Sequence, residues 1–294
     1  MRTRRHALLA AIVLPAVLAI GALAGCSSGT SGGAGSTTST TTSPGTAHVL
    51  YAASLTNLME KDLGPAFEKS TGGTFNGKAA GSTALVNDIK AKTTVADVFI
   101  SASTSANDGL MGASNGNYES WYASFATSPL VLGYDPNSKF AADLKSKPWN
   151  EVVTEPGFRL GSTDPKLDPK GKLGAQAISE ANLPANVATV FPEEQLVGRL
   201  QAGQLDAGFF YSSEAAEANI PTVTLGTIKL SATYTVTVLN NAQNKPAAIA
   251  FVQELLGPDG QALLKKHGYT LLPIKVTGDT SAVPTELHTV LGVK

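Results

Sequence analysis

The chain has 294 residues, a formal charge of −1, 43% hydrophobic residues and a single cysteine. That length and composition suit one large globular domain or two modest ones. A lone cysteine excludes an internal disulfide framework, and the near-neutral charge balance offers nothing for nucleic acid to bind.

The N-terminus decides the compartment. Arg2, Arg4 and Arg5 precede an apolar run from Ala7 to Ala24, the layout of a secretion signal rather than of a structural helix. The segment Leu23-Ala24-Gly25-Cys26 resembles the lipobox of bacterial lipoproteins, in which the signal is cut before the cysteine and its thiol carries a lipid. The resemblance implies a signal peptide at residues 1–25, lipidation at Cys26, and an extracytoplasmic protein anchored to the cell membrane. Residues 26–46 are almost wholly Ser, Gly and Thr, a composition that cannot bury enough apolar surface to offset its ordering entropy and reads as a flexible tether. Later stretches fall short of the roughly 18 continuous apolar residues of a membrane span. Without the three N-terminal arginines, 19 basic side chains remain against 23 acidic ones.

The globular part opens with a strand at 48–53, followed by a helical stripe of Leu55, Leu58, Met59, Leu63 and Phe67 with Ser54 as its expected N-cap. A strand at 74–80 leads to a helix striped by Leu85, Val86 and Ile89, with Ser82 as the expected cap, and then to a buried strand at 95–101. Short strands follow at 129–134 and 158–161, with helices at about 172–181 and 192–202. Glu193 and Glu194 at the start of the second helix and Gly203 past its end are ordinary helix punctuation. Strands at 205–211 and 231–239 and helices at 246–256 and 259–266 complete the pattern. Alternating strands and helices predict an α/β fold with mostly parallel sheets flanked by helices. The order suggests two lobes, with crossings near residues 128–134 and 232–239 acting as a hinge.

Signatures of catalysis are missing. The sequence has no G-x-S-x-G, no Walker A pattern and no H-E-x-x-H, and His48, His267 and His288 lack ligand spacing. These histidines read as structural. What stands out is a set of helix starts that follow strands and carry small hydroxyls, Ser54 and Ser82 being the clearest. The first turn of a helix offers unpaired N–H groups and a partial positive charge, so converging helix starts can hold an anion. Either serine could equally be a plain N-cap.

The blocks Tyr51-Ala52-Ala53-Ser54-Leu55-Thr56-Asn57, Gly81-Ser82-Thr83-Ala84-Leu85 and Ala96-Asp97-Val98-Phe99-Ile100-Ser101 resemble the N-terminal signature of molybdate- and tungstate-binding proteins of ABC transporters. The resemblance continues through Asp164 to Gly171, Leu205 to Tyr211 and Phe251 to Leu272, covering nearly all of residues 48–275. It implies a two-lobed periplasmic-binding-protein-like fold, with residues 47–128 plus 238–294 as lobe I and 129–237 as lobe II. It also implies no enzymatic activity and no cofactor. A monomer should deliver a tetrahedral oxyanion to a permease. Carried over residue by residue, it assigns hydroxyl and amide donors to Ser54 and Ser82, a phenol donor to Tyr211, and backbone amides to Lys170 and to Glu193 or Glu194. One branch of the family adds two carboxylates to the metal. Asp168 matches the first, with an alternative reading as a turn residue before Pro169. Phe210 stands where the second is expected, which favours a tetrahedral, hydrogen-bonded ion. Sulfate, phosphate or ferric ion on the same scaffold, an enzyme, or a structural envelope lipoprotein are the alternatives; the lack of a tyrosine adjacent to Tyr211 argues against iron.

Overall fold

A computed structural model describes residues 43–294. The expected signal, Cys26 and most of the tether lie outside these residues. The tether's last residues are already attached: Ser43 Oγ donates to Gly72 O at 2.6 Å, Thr74 N donates to Gly45 O at 3.0 Å, and Thr46 opens the first strand.

Ten strands form one mixed sheet. One edge is parallel: β1 (Thr46–Ala52) lies between β2 (Thr74–Ala80) and β3 (Val98–Ser101). The inner strands β1 and β3 are largely buried on both faces, as helix-covered βαβ units require, while the edge strand β2 is partly exposed. The centre is antiparallel and built on β4 (Trp121–Tyr134), far longer than the 129–134 segment expected. The remaining strands are β5 (Leu160–Thr163), β6 (Ala188–Phe191), β7 (Ala207–Tyr211), β8 (Thr222–Val223), β9 (Ser231–Val238) and β10 (Thr270–Gly278). The first half of β4 pairs with β9 and β10, while residues 130–134 pair with β7 and β8. Beyond β7, parallel pairing resumes through β5 to β6. Parallel ladders therefore occupy both ends and antiparallel ones the middle, where β4 passes from one half of the sheet to the other. This is the two-domain arrangement of periplasmic binding proteins.

Several elements start one to three residues away from the sequence reading. The helix placed at about 172–181 runs Pro169–Glu180, and the one placed at 192–202 runs Glu193–Gln201. β6 and β10 were not anticipated. Ala188–Phe191 is half-exposed at an edge, and β10 carries a register shift between Leu271 and Lys275, so neither shows clean alternation.

The structure corrects the capping role expected of two serines. The chain enters the turn Ala53–Leu55 through Ala52 and the helix Ser82–Ala91 through Gly81, both extended at ψ 130° and 135°, and neither makes a side-chain cap bond. Ser54 and Ser82 sit one or more residues inside, which frees their hydroxyls for other partners. Asp168 is a true cap: its Oδ1 accepts from Lys170 N at 3.0 Å, with Pro169 in the first turn.

Candidate functional site

Five chain segments that are distant in sequence meet at one buried place between the two halves of the sheet. The turn Ala53–Leu55 packs against the helix Glu193–Gln201. The helix Ser82–Ala91 meets the loop before Asp168, where Ala84 N donates to Leu167 O at 3.0 Å. The approach is close enough that a Cβ on Gly81 would lie 2.6 Å from Leu167 O and 3.1 Å from Asp168 Cβ. The helix Pro169–Glu180 and the end of β7 supply Asp168, Lys170 and Tyr211.

The centre of the cluster is ionic. Lys170 is fully buried, and its ammonium donates to both Glu214 carboxylate oxygens at 2.8 Å, with Glu193 Oε1 at 3.4 Å. Its Nζ lies 5.7 Å from the Phe210 ring centroid and 5.8 Å from that of Tyr211. Burial by itself lowers the Lys170 pKa, but Glu214, Glu193 and Asp168 outweigh it and hold the ammonium above its usual range. Burial pushes Asp168 upward despite the Lys170 charge, and pushes Glu193 well upward, reinforced by Asp168. Tyr211 rises well above the phenol range, through burial first and the Asp168 charge second.

Around this centre lie buried polar atoms without a protein partner: Asp168 Oδ2, both Glu193 oxygens, Tyr211 Oη and Thr163 Oγ1. Buried polar groups are paired in the great majority of cases, so several orphans in one place mark a site where something else completes the bonding. The serines stand beside it. Ser54 Oγ and Tyr234 Oη are 3.0 Å apart, and Tyr269 Oη donates to Ser54 O at 2.9 Å. Ser82 Oγ accepts from Ala102 N at 3.0 Å, which leaves its own proton free to donate.

The structure thus brings Asp168, Lys170, Glu193 and Tyr211 together, with Ser54 one ring away through Tyr234 and Ser82 on the facing helix. It adds three details. The backbone amide of Lys170 is engaged by the Asp168 cap, and it is the side chain that enters the site. The Glu194 side chain is exposed, whereas that of Glu193 is buried. The absence of a neighbouring tyrosine holds only along the sequence: Tyr234 packs edge-on against Tyr211 at 6.1 Å and Tyr269 against Tyr234 at 5.2 Å. Sequence reasoning missed Glu214, Tyr234, Tyr269 and Thr163. For Glu214, the signal was the i, i+3 relation to Tyr211 at a helix start, where its carboxylate accepts from Tyr211 N at 3.4 Å. For the others a single sequence carries no signal, because their proximity is tertiary. The histidines are structural: His48 bonds Asp97, His267 bonds Asp62 and Glu217, and His288 bonds Val283 O.

The profile of bacterial extracellular solute-binding proteins matches residues 47–270. The chain belongs to that family. This bacterial extracellular solute-binding protein is 28% identical to a solute-binding protein of Petrotoga mobilis over 270 residues, covering 76% of this chain and 83% of that one. It is 25% identical to the molybdate/tungstate-binding protein WtpA of Thermococcus kodakarensis over 352 residues, covering 98% and 96% of the two chains. Among solved structures, it superposes on the periplasmic molybdate-binding protein of Azotobacter vinelandii with a TM-score of 0.64 at 20% identity, covering 77% of this chain and 99% of that one. As a family member it is an extracytoplasmic binding protein and not an enzyme.

Proposed function

We propose that this binding protein captures a tetrahedral oxyanion of the molybdate or tungstate kind between its two lobes and hands it to the permease of an ABC importer. It does so as a monomer held to the membrane through Cys26. The observation that carries the reading is the convergence, at one buried place, of helix starts from both halves with unpartnered groups able to donate hydrogen bonds. Tyr211 Oη and the free proton of Ser82 Oγ are donors without protein acceptors. The helices Ser82–Ala91, Pro169–Glu180 and Glu193–Gln201 all begin there and add their dipoles. The named ligand of the Thermococcus relative, which spans nearly the whole chain, supports the same class.

The energetics are adequate. Hydrogen bonds to a charged group contribute about 1.5–3 kcal/mol each, so about five support the roughly 8–12 kcal/mol of micromolar to nanomolar binding. The tyrosine trio revives a ferric reading, but Tyr234 and Tyr269 spend their hydroxyls on Ser54, which leaves Tyr211 Oη as the one unpartnered phenol of the three.

Calorimetry with molybdate, tungstate, sulfate, phosphate and ferric citrate tests the proposal. One-to-one heat with molybdate or tungstate, weakened about 10- to 100-fold in Tyr211→Phe, is the expected result for a lost donor to an anion. Binding of ferric citrate alone would overturn the oxyanion reading, and binding of sulfate in preference to molybdate would replace the ligand within it.

A further inference from the structure

The charges around Lys170 do not suit a dianion as they stand. Asp168, Glu193 and Glu214 supply three carboxyl groups against one ammonium. With all three ionised the pocket carries two negative charges before any anion enters, and in a water-poor site such repulsion is far from screened. Glu214 is neutralised in place by its two-oxygen contact with Lys170. Asp168 has one oxygen occupied by its cap bond. Glu193 differs: its side chain is 2% exposed, Lys170 lies only 3.4 Å from one oxygen, and both oxygens lack a hydrogen bond. It is faced by Asp168 and Lys170 from the helix Pro169–Glu180, by Glu214 from the helix Ser212–Glu217, by Tyr211 from β7 and by Tyr234 from β9.

We infer that Glu193 acts in the closed site as a neutral carboxylic acid that donates a hydrogen bond to the bound oxyanion, so that capture of the anion takes up a proton. This rests on the oxyanion reading and adds a specificity device to it. A carboxylate at Glu193 would repel the dianion, whereas the acid form converts the same residue into a donor. The direction follows from burial, which raises Glu193 well above the carboxylate range. In an open, hydrated cleft the group returns toward its ordinary value and releases its proton at neutral pH. A group protonated when liganded and ionised when free makes affinity fall with rising pH. Lys170 is held above its ordinary value and Tyr211 and Tyr234 are raised, so the first stays charged and the other two neutral through this range.

The test is calorimetry of the purified protein with molybdate, from about pH 6.5 to about pH 9, in buffers of different ionisation enthalpy. The expected result is uptake of about one proton per anion, with Kd rising up to about tenfold per pH unit. Glu193→Gln keeps a donor in the same place. The variant should lose both the proton uptake and the pH slope of molybdate binding. Unmodified protein that binds molybdate with no proton uptake and a flat pH profile would overturn the inference whatever the variant does. So would a folded Glu193→Gln protein that loses binding more than a hundredfold, since the carboxylate would then itself be the ligand. Uptake that persists in Glu193→Gln but disappears in Asp168→Asn would move the proton to Asp168 and equally refute the assignment. Absence of molybdate or tungstate heat at every pH is a different failure, that of the oxyanion reading itself.

Discussion

Burial alone does not decide what an ionisable side chain does here; its partners do. Asp97 is fully buried, yet it accepts from His48 N and Nδ1 and from the amides of Gln243 and Asn244, and these bonds outweigh burial and keep it below the usual carboxylate range. Glu119 is equally buried, with one bond from Asn107 Nδ2 at 3.2 Å and its other oxygen unpartnered. Burial pushes it up to about 8, against the bond from Asn107 and with help from the Asp108 charge. Because the folded value lies above the unfolded one, the contribution of Glu119 to stability is fully present below about pH 4.5 and is lost as pH rises toward about 8. Glu119→Gln removes that dependence while keeping a group able to bond Asn107. Denaturant unfolding at pH 5 and pH 9 should show the variant gaining on the unmodified protein at the higher pH by on the order of a few kcal/mol. Identical pH dependence in the two proteins would contradict the role given to Glu119.

At the scale of elements, the site depends on how closely the two halves approach. The chain places glycine where the helix Ser82–Ala91 meets the loop at Leu167. Gly81 has an ordinary extended backbone, so alanine is tolerated there locally, but its Cβ would strike Leu167 O at 2.6 Å. The clash lies between halves rather than within one. Gly81→Ala should therefore leave the fold intact and resist closure, weakening anion affinity about 10- to 100-fold, in line with the 1–3 kcal/mol of overpacking. Unchanged affinity would show that the contact is not part of the liganded state. Another bridge joins the halves at His267, whose two ring nitrogens lie 2.6 Å from Asp62 and 2.7 Å from Glu217. Ser213 N and Oγ both donate to Ser128 Oγ, fixing the helix Ser212–Glu217 to the strand that runs between the halves.

Over the whole molecule, β4 and β9 carry the chain across, and buried residues from both halves form one continuous cluster, from Tyr51 and Phe67 to Trp149 and Phe209. A ligand that binds between the halves engages both and stabilises the folded state as a unit. At molybdate about a hundredfold above Kd, linkage adds about 2.7 kcal/mol. For a chain of this size that corresponds to a Tm increase of roughly 5–10 °C, readable by calorimetry or dye-based melting. A negligible shift with molybdate or tungstate at that excess would count against capture between the halves.

The sequence by itself determined the alternation of strands and helices, and its resemblance to a known family supplied the two-domain fold and the candidate site residues. The alternation rests on hydrophobic periodicity and helix punctuation, and the resemblance on short blocks whose order is as informative as their content. Asp168, Lys170, Glu193 and Tyr211 were named through the family resemblance, and the structure gathers them in one buried cluster. Tertiary structure alone decided that the Lys170 side chain rather than its amide enters the site, that Glu214 neutralises it, that Glu194 faces solvent, and that Tyr234 and Tyr269 stand behind Tyr211. It also decided that the middle of the sheet is antiparallel. The reason is that strand direction between distant segments, and the charge state of a buried cluster, depend on which side chains meet across the fold, and periodicity along one chain does not encode that meeting.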